Sequence, residues 1–343
     1  MKTESRADGT IPGRSEVIFG RNADLAWLEE LATATPGAST LVCILGAGGL
    51  GKTRLIEAFA TRLEQASLPF APLIDFYHID SFRAGVVEHV IATALARTAP
   101  EHAHLLRPYL KARQRLERSR IGGQEFDQAQ RAVRRSFITC YTQVAAALAR
   151  AQRRMVLLFD TVEQAISLSD GAERHFDLAL RDASIGGEHW LRATLPKLHN
   201  TLIVLGGRPE TLYGQPVSLY AELGALIERR DHELSGLSYS ATVELARDML
   251  ARASASNDEQ TAGIAAAIDL DDPAKLRAWY QISEGLPFWI AILFTLELIG
   301  SEPEGVLSAL QEEAGTIAPE VPIAAERREA LRNELRECFL GEI

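Results

Sequence analysis

The chain has 343 residues, 47% hydrophobic and 24% charged, with a net charge of −10. That length allows a sizeable core and points to two domains, or to one domain with a helical appendage. The charge excludes a surface that is basic all over, as a non-specific nucleic-acid binder would have, but leaves room for a local basic patch. Cys43, Cys140 and Cys338 lie far apart. Disulfide frameworks and cysteine metal sites need clustered spacing, so buried reduced thiols are expected. The eight histidines form no H-E-x-x-H pattern, and no structural metal is expected. The N-terminal stretch has no apolar core of a signal peptide, and no apolar run reaches about 18 residues. A cytoplasmic protein is the expectation, with no membrane partner.

Residues 1–16 are polar, with Gly and Pro, and read as a flexible lead-in. "VIFGRNADLAWLEELATA" gives a short apolar run, a Gly-Arg turn and a helix with Leu25, Leu28 and Leu31 at helical spacing. Thr40 to Leu45 is a continuous apolar strand of the kind buried on both faces of a parallel sheet. A glycine-rich loop and a helix from Lys52 to Gln65 follow. Phe70 to Asp80 reads as a second strand and "FRAGVVEHVIATALARTA" as a helix. This alternation predicts a parallel α/β sheet. Residues 101–136 carry nine Lys or Arg against four Asp or Glu, and read as a helical pair broken at Ile121–Gly123. They form either a solvated helical insertion or a basic docking surface. "FITCYTQVAAALARAQ" returns to a core-facing helix. Met155 to Phe159 is a strand ending on Asp160, and Thr201 to Leu205 another, followed by Gly206, Gly207 and Arg208. Asp231 to Ser238 could be a last short strand. From Tyr239 the chain reads as all-helical, in four helices, the first with Ser240 as N-cap.

The loop "GAGGLGKT" fits two phosphate-binding patterns. Gly46, Gly48 and Gly51 match G-x-G-x-x-G, a dinucleotide loop, for which Asp75 would be the acidic residue about 20 positions on. Gly46, Gly51, Lys52 and Thr53 match G-x-x-x-x-G-K-T, a nucleoside-triphosphate loop. Lys52–Thr53 decides for the second: a Lys ammonium reaches the β- and γ-phosphates and the Thr hydroxyl ligates Mg²⁺. The apolar strand closing on Asp160 supports it, since that carboxylate can hold Mg²⁺ through its water shell. The expected nucleotide-contacting stretch is Gly46, Ala47, Gly48, Gly49, Leu50, Gly51, Lys52, Thr53 and Arg54. Its backbone N–H groups and helix N-terminus wrap the phosphates of ATP or ADP. Glu163, three residues past Asp160, is the candidate to orient water, or else a structural helix residue. Arg208 is the candidate sensor of the γ-phosphate, or else a packing residue.

Several motifs together resemble the STAND class of signal-transduction P-loop ATPases, within the AAA+ group. "FGRNADLAWL" resembles its opening motif, with Asp24 in place of the usual Glu. "GAGGLGKT" resembles its P-loop, "MVLLFDTVEQ" the D-T-x-E form of its second acidic motif, and "LIVLGGRPE" its sensor strand. "EGLPFWIAI" resembles the G-L-P-L motif of its helical lid. The resemblance implies that Arg21 helps hold the nucleotide, that Pro287 lies near the adenine, and that nucleotide is clamped between core and lid. Members usually continue into a winged-helix domain and a long sensor. This chain lacks room for both, so the resemblance implies either a truncated piece or a minimal member with separate effector and sensor chains.

The expected organisation is a flexible residues 1–16, a P-loop ATPase core at 17–238 and a helical lid at 239–343. The expected function is an ADP/ATP switch with slow hydrolysis and nucleotide-dependent self-assembly. Two rivals stand beside it. One is an AAA+ ATPase of the initiator or loader kind, touching DNA through 101–136, which is not favoured. The other is a non-hydrolysing scaffold with nucleotide as a structural cofactor. A small-molecule phosphotransferase is disfavoured because no separate acceptor site is visible.

Overall fold

The computed structural model describes residues 17–78, 84–119, 124–165, 187–210, 214–298 and 324–341. The expected lead-in at 1–16 and helix break at 121–123 lie outside them. The described residues fall into two compact units. One draws on 23–48 and 52–234, the other on 17–22, 49–51 and the residues from 235 onward.

The first unit is built on five parallel strands: β1 (Thr40–Leu45), β2 (Ile74–Asp75), β3 (Met155–Asp160), β4 (Thr201–Gly207) and β5 (Glu228–Glu233). They are ordered β2-β3-β4-β1-β5. Every residue of β1, β3 and β4 is buried. That burial on both faces is why these strands are runs of Leu, Val and Ile rather than alternating patterns. β4 lies between β1 and β3, with Leu45 opposite Gly207 and Phe159 opposite Leu205. Because the strands are parallel, the loop after β1, the end of β3 and Arg208 emerge side by side at one edge of the sheet.

Helices cover the sheet: α1 (Asn22–Thr33), α2 (Lys52–Gln65), α3 (Ala84–Thr98), α4 (Arg107–Arg118), α5 (Gln124–Arg150), α6 (Gly187–Thr194) and α7 (Ser218–Gly224). α2 buries Leu55, Ile56, Phe59 and Leu63, one helical face. At the sheet edge opposite the P-loop, buried Arg154 donates to the carbonyl oxygens of Leu31 at 3.2 Å and Thr201 at 2.9 Å. This ties the end of α1 to the start of β4. Cys43 and Cys140 are buried and unbridged.

Three expectations need correction. The second strand is not Phe70–Asp80 but Ile74–Asp75, with Phe70 only bridging to Val156. Pro72 lacks the N–H a ladder needs. The Asp75 carboxylate then accepts from the Tyr77 N–H at 2.9 Å and turns the chain out of the sheet. The last strand is Glu228–Glu233 rather than Asp231–Ser238. It is a charged edge strand, which hydropathy does not mark and which blocks further pairing. The N-cap of the first C-terminal helix is Ser238, not Ser240: the Ser238 hydroxyl accepts from the Ala241 N–H at 3.3 Å.

The second unit holds five helices among the described residues where the sequence reads as four, α9 being the one missed: α8 (Tyr239–Ser254), α9 (Glu259–Ala267), α10 (Pro273–Ser283), α11 (Pro287–Leu298) and α12 (Ala325–Gly341). Its core gathers Trp279, Ile282, Trp289, Ile290, Leu293 and Leu331. Asp258 and Asp272 cap α9 and α10. From α12, buried Arg332 donates to the carbonyl oxygens of Ile282 at 2.9 Å and Ser283 at 3.1 Å, satisfying the end of α10. Among the described residues no helix is long and apolar enough to cross a membrane.

Candidate functional site

In the sheet unit, the turn out of β1 folds back on its own lysine. The Lys52 ammonium donates to the carbonyl oxygens of Gly46 and Ala47, each at 2.8 Å. Burial holds the Lys52 pKa below its ordinary value, against the opposing pull of Glu163 and Asp160. The next residue, Thr53, donates its hydroxyl to Asp160 Oδ2 at the end of β3. Asp160 is buried, which raises its pKa; hydrogen bonds from Thr53 and the Thr161 backbone work the other way. Residues 107 positions apart are thus joined by the parallel sheet.

Thr161 has a φ of 55°. A β-branched residue in the left-handed region is an outlier, and it bends the chain directly after Asp160. Glu163 follows, buried, and its Oε2 accepts from the Arg208 main-chain N–H at 3.1 Å. Its Oε1 stands 3.7 Å from Arg208 Nε. The Arg208 guanidinium also lies against the loop: a Cβ on Gly48 would fall 2.6 Å from Arg208 Nη2. Lys52, Thr53, Asp160, Glu163 and Arg208 therefore share one edge of one unit. Arg54, in the first turn of α2, is engaged with Glu57 at 2.8 Å.

The glycine pair ending β4 makes room for both carboxylates. A Cβ on Gly206 would lie 2.5 Å from Asp160 Oδ1 and 2.6 Å from Ile56 Cδ1. A Cβ on Gly207 would overlap the Tyr220 hydroxyl and lie 2.8 Å from Glu163 Oε2. Tyr220, on α7, is buried, and its hydroxyl has no hydrogen-bond partner among the described residues. Burial, then the neighbouring Glu163, raises its pKa. Sequence reasoning missed Tyr220 and the spacing role of the glycines. The doublet before Arg208 was a visible signal; nothing in the sequence marks Tyr220. Asp24, the variant residue of the opening motif, pairs with His232 of β5 at 2.7 Å, and Trp27 stacks on that ring at 4.9 Å.

In the second unit, the loop tip Gly49–Gly51 meets two sequence-predicted residues. Arg21 is buried and donates to the carbonyl oxygens of Leu50 at 3.3 Å and Ser235 at 2.6 Å. Pro287 opens α11; a Cβ on Gly51 would stand 3.9 Å from its Cγ. The neighbouring Phe288 side chain is 53% exposed, and its N–H donates to the Gly49 carbonyl oxygen at 3.4 Å. Gly49 and Gly51 have φ of 83° and 87°, a conformation that favours glycine. Gly285 needs its missing Cβ: the Leu237 N–H donates to its carbonyl oxygen at 2.7 Å, and a Cβ would overlap Leu237 O.

No curated protein matches the chain. Among solved structures, domain III of the Thermotoga maritima replication initiation protein DnaA is 13% identical, with 94% of each chain covered and a TM-score of 0.38. The Aeropyrum pernix ORC2 protein, solved as ADPNP-ADP complexes, is 11% identical over 96% of this chain and 88% of that one, with a TM-score of 0.34. Likenesses so distant carry no argument about what the chain does. The family model described as the AAA ATPase domain matches residues 17–183, a span that holds Arg21, the whole loop from Gly46 to Arg54, Asp160 and Glu163 but stops short of Arg208 and Pro287.

Proposed function

We propose that the chain binds ATP and ADP at the loop Gly46–Arg54, hydrolyses ATP slowly, and acts as a nucleotide-dependent switch of the signal-transduction kind. The observation that carries this reading is the Thr53–Asp160 hydrogen bond under Lys52, with Glu163 and Arg208 beside it. Phosphate oxygens would replace the Gly46 and Ala47 carbonyls as acceptors for Lys52. The Thr53 hydroxyl and the buried Asp160 carboxylate are hard oxygen donors that fit Mg²⁺, which when bound would neutralise charge between the phosphates. Glu163 would orient the attacking water. It is held by Arg208 rather than free, which favours slow turnover. Arg208, reaching toward Gly48, would read the γ-phosphate. Arg21 and Pro287 would steady the loop tip and the base.

ATP and ADP change the state of the chain only through different affinities for its two forms. The switched forms would differ in self-association, or in docking of separate effector and sensor chains, in the cytoplasm. The test is direct. Lys52→Ala should abolish binding of a fluorescent ATP analogue; unchanged binding sinks the site. Glu163→Gln should keep binding and lower phosphate release about 10²-fold or more; wild-type turnover removes Glu163 as the water-orienting group. Size-exclusion profiles should differ between ADP and a non-hydrolysable ATP analogue. Identical profiles would remove the switch and leave a scaffold.

A further inference from the structure

The helical insertion of the sheet unit carries a feature that ATP chemistry does not use. α4 reads "RPYLKARQRLER", with one acid, Glu117, which is committed to Arg113 at 3.1 Å. Its inner face is fixed: Tyr109 is buried, and Ala112 and Leu116 pack on the core. Arg107, Lys111, Arg115 and Arg118 are all exposed. At 3.6 residues per turn these four fall within a sector of about 80°, along roughly 16 Å of helix. α5, packed against α4, adds exposed Arg131 and Arg135 on one of its own faces. Among the described residues none of these six cations is in an ion pair. On a chain of net charge −10 this is a local concentration of positive charge.

We infer that the exposed face of α4, extended by Arg131 and Arg135, docks the phosphate backbone of a nucleic acid. Three features favour phosphate over other anions. Five of the six cations are arginines, whose planar fork matches phosphate oxygens two at a time. On α4, cations four residues apart sit about 6 Å apart along the axis, a straight row suited to a linear polyanion. Tyr109, Ala112 and Leu116 of α4 pack into the core, and Leu110 alone of its large apolar side chains is exposed, too little to bury in a lipid surface. The inference assigns this row to phosphate contacts, so binding is sequence-independent.

The test uses the full chain and fluorescein-labelled 30-nucleotide single strands and duplexes, followed by anisotropy from 50 to 200 mM salt. Six phosphate contacts imply a log–log salt slope near −5.4 on duplex, about −0.9 per contact, and a weakening of roughly a thousandfold or more over that range. Arg107→Gln, Lys111→Gln, Arg115→Gln and Arg118→Gln together should lower the slope by 3 to 4. The matching Arg→Lys variant should keep the slope and lose affinity. Binding of a fluorescent ATP analogue, which needs Lys52 and not this face, should stay unchanged in both and reports that each is folded. No binding at 50 mM salt, or an unaltered slope in the glutamine variant, overturns the inference. Equal binding of poly-glutamate reassigns the face to an acidic protein. The inference does not rest on the switch, and either can fail alone.

Discussion

Gly207→Ala is the substitution whose cost the structure fixes most closely. A methyl at this position overlaps the Tyr220 hydroxyl and stands 2.8 Å from Glu163 Oε2. Neither neighbour moves aside freely. Tyr220 is only 3% exposed, its oxygen on a rigid ring, and the Glu163 carboxylate is held by the Arg208 N–H at 3.1 Å. Overpacking of this kind costs about 1–3 kcal/mol, from which the lower unfolded-state entropy of Ala returns at most about 1 kcal/mol. The net expectation is a loss of about 1–2 kcal/mol. Tyr220→Phe alone removes a buried hydroxyl without a partner and should be neutral or stabilise by up to about 1 kcal/mol. In the double variant the overlapping oxygen is gone, so the cost of Gly207→Ala should fall by about 1–2 kcal/mol. Urea unfolding of the four proteins closes the cycle. Additivity within about 0.5 kcal/mol would falsify the claim that Tyr220 fills the space the glycine leaves.

Two further predictions concern buried groups. Burial pushes the Cys43 thiol up to about 12 and raises that of Cys140. In a Cys338→Ser background neither should react with a thiol-labelling disulfide at pH 8 until the protein is unfolded; labelling of the folded chain would contradict the burial. Glu88 of α3 is buried beneath Trp190, whose Nε1 donates to it at 3.1 Å, and burial raises its pKa above 4.5 despite Arg134 at 3.7 Å. The folded state then binds a proton that the unfolded state releases, so stability falls as pH climbs from about 4.5 through the raised value. Glu88→Gln should flatten that slope in urea titrations; an unchanged slope assigns it to other groups.

What the sequence shows of this fold depends on how each element is buried. β1, β3 and β4 are enclosed on both faces and announce themselves as unbroken apolar runs; α2 shows its buried stripe from Leu55 to Leu63. β5 is an edge strand of Glu, Arg, Arg, Asp, His and Glu, with no apolar signal to read. α7 and α9, at 7 and 9 residues, are too short for a periodic pattern. In the site, Lys52, Thr53 and Asp160 follow from local patterns, because loop and strand end each have their own signature. The Glu163–Arg208 pairing joins residues 45 apart through strand order, and strand order is not local information. Tyr220 is more remote still: only the three-dimensional vacancy at Gly207 explains why a phenol stands there.

That vacancy also bears on how Arg208 can serve two ends. The carboxylate of Glu163 is fixed by the main-chain N–H of Arg208, at the rigid end of a buried strand. The guanidinium stands farther off, 3.7 Å from Oε1, on a side chain 47% exposed. At that distance the main-chain hydrogen bond, rather than the ion pair, fixes the buried carboxylate. Main chain and side chain are thereby separable. The main chain sets where Glu163 sits, with Gly207 supplying the space, while the side chain lies against Gly48. A group drawn toward phosphate there would leave the carboxylate in place. The left-handed Thr161 turns the chain after Asp160, and two residues on, Glu163 meets that N–H beside the Thr53–Asp160 pair.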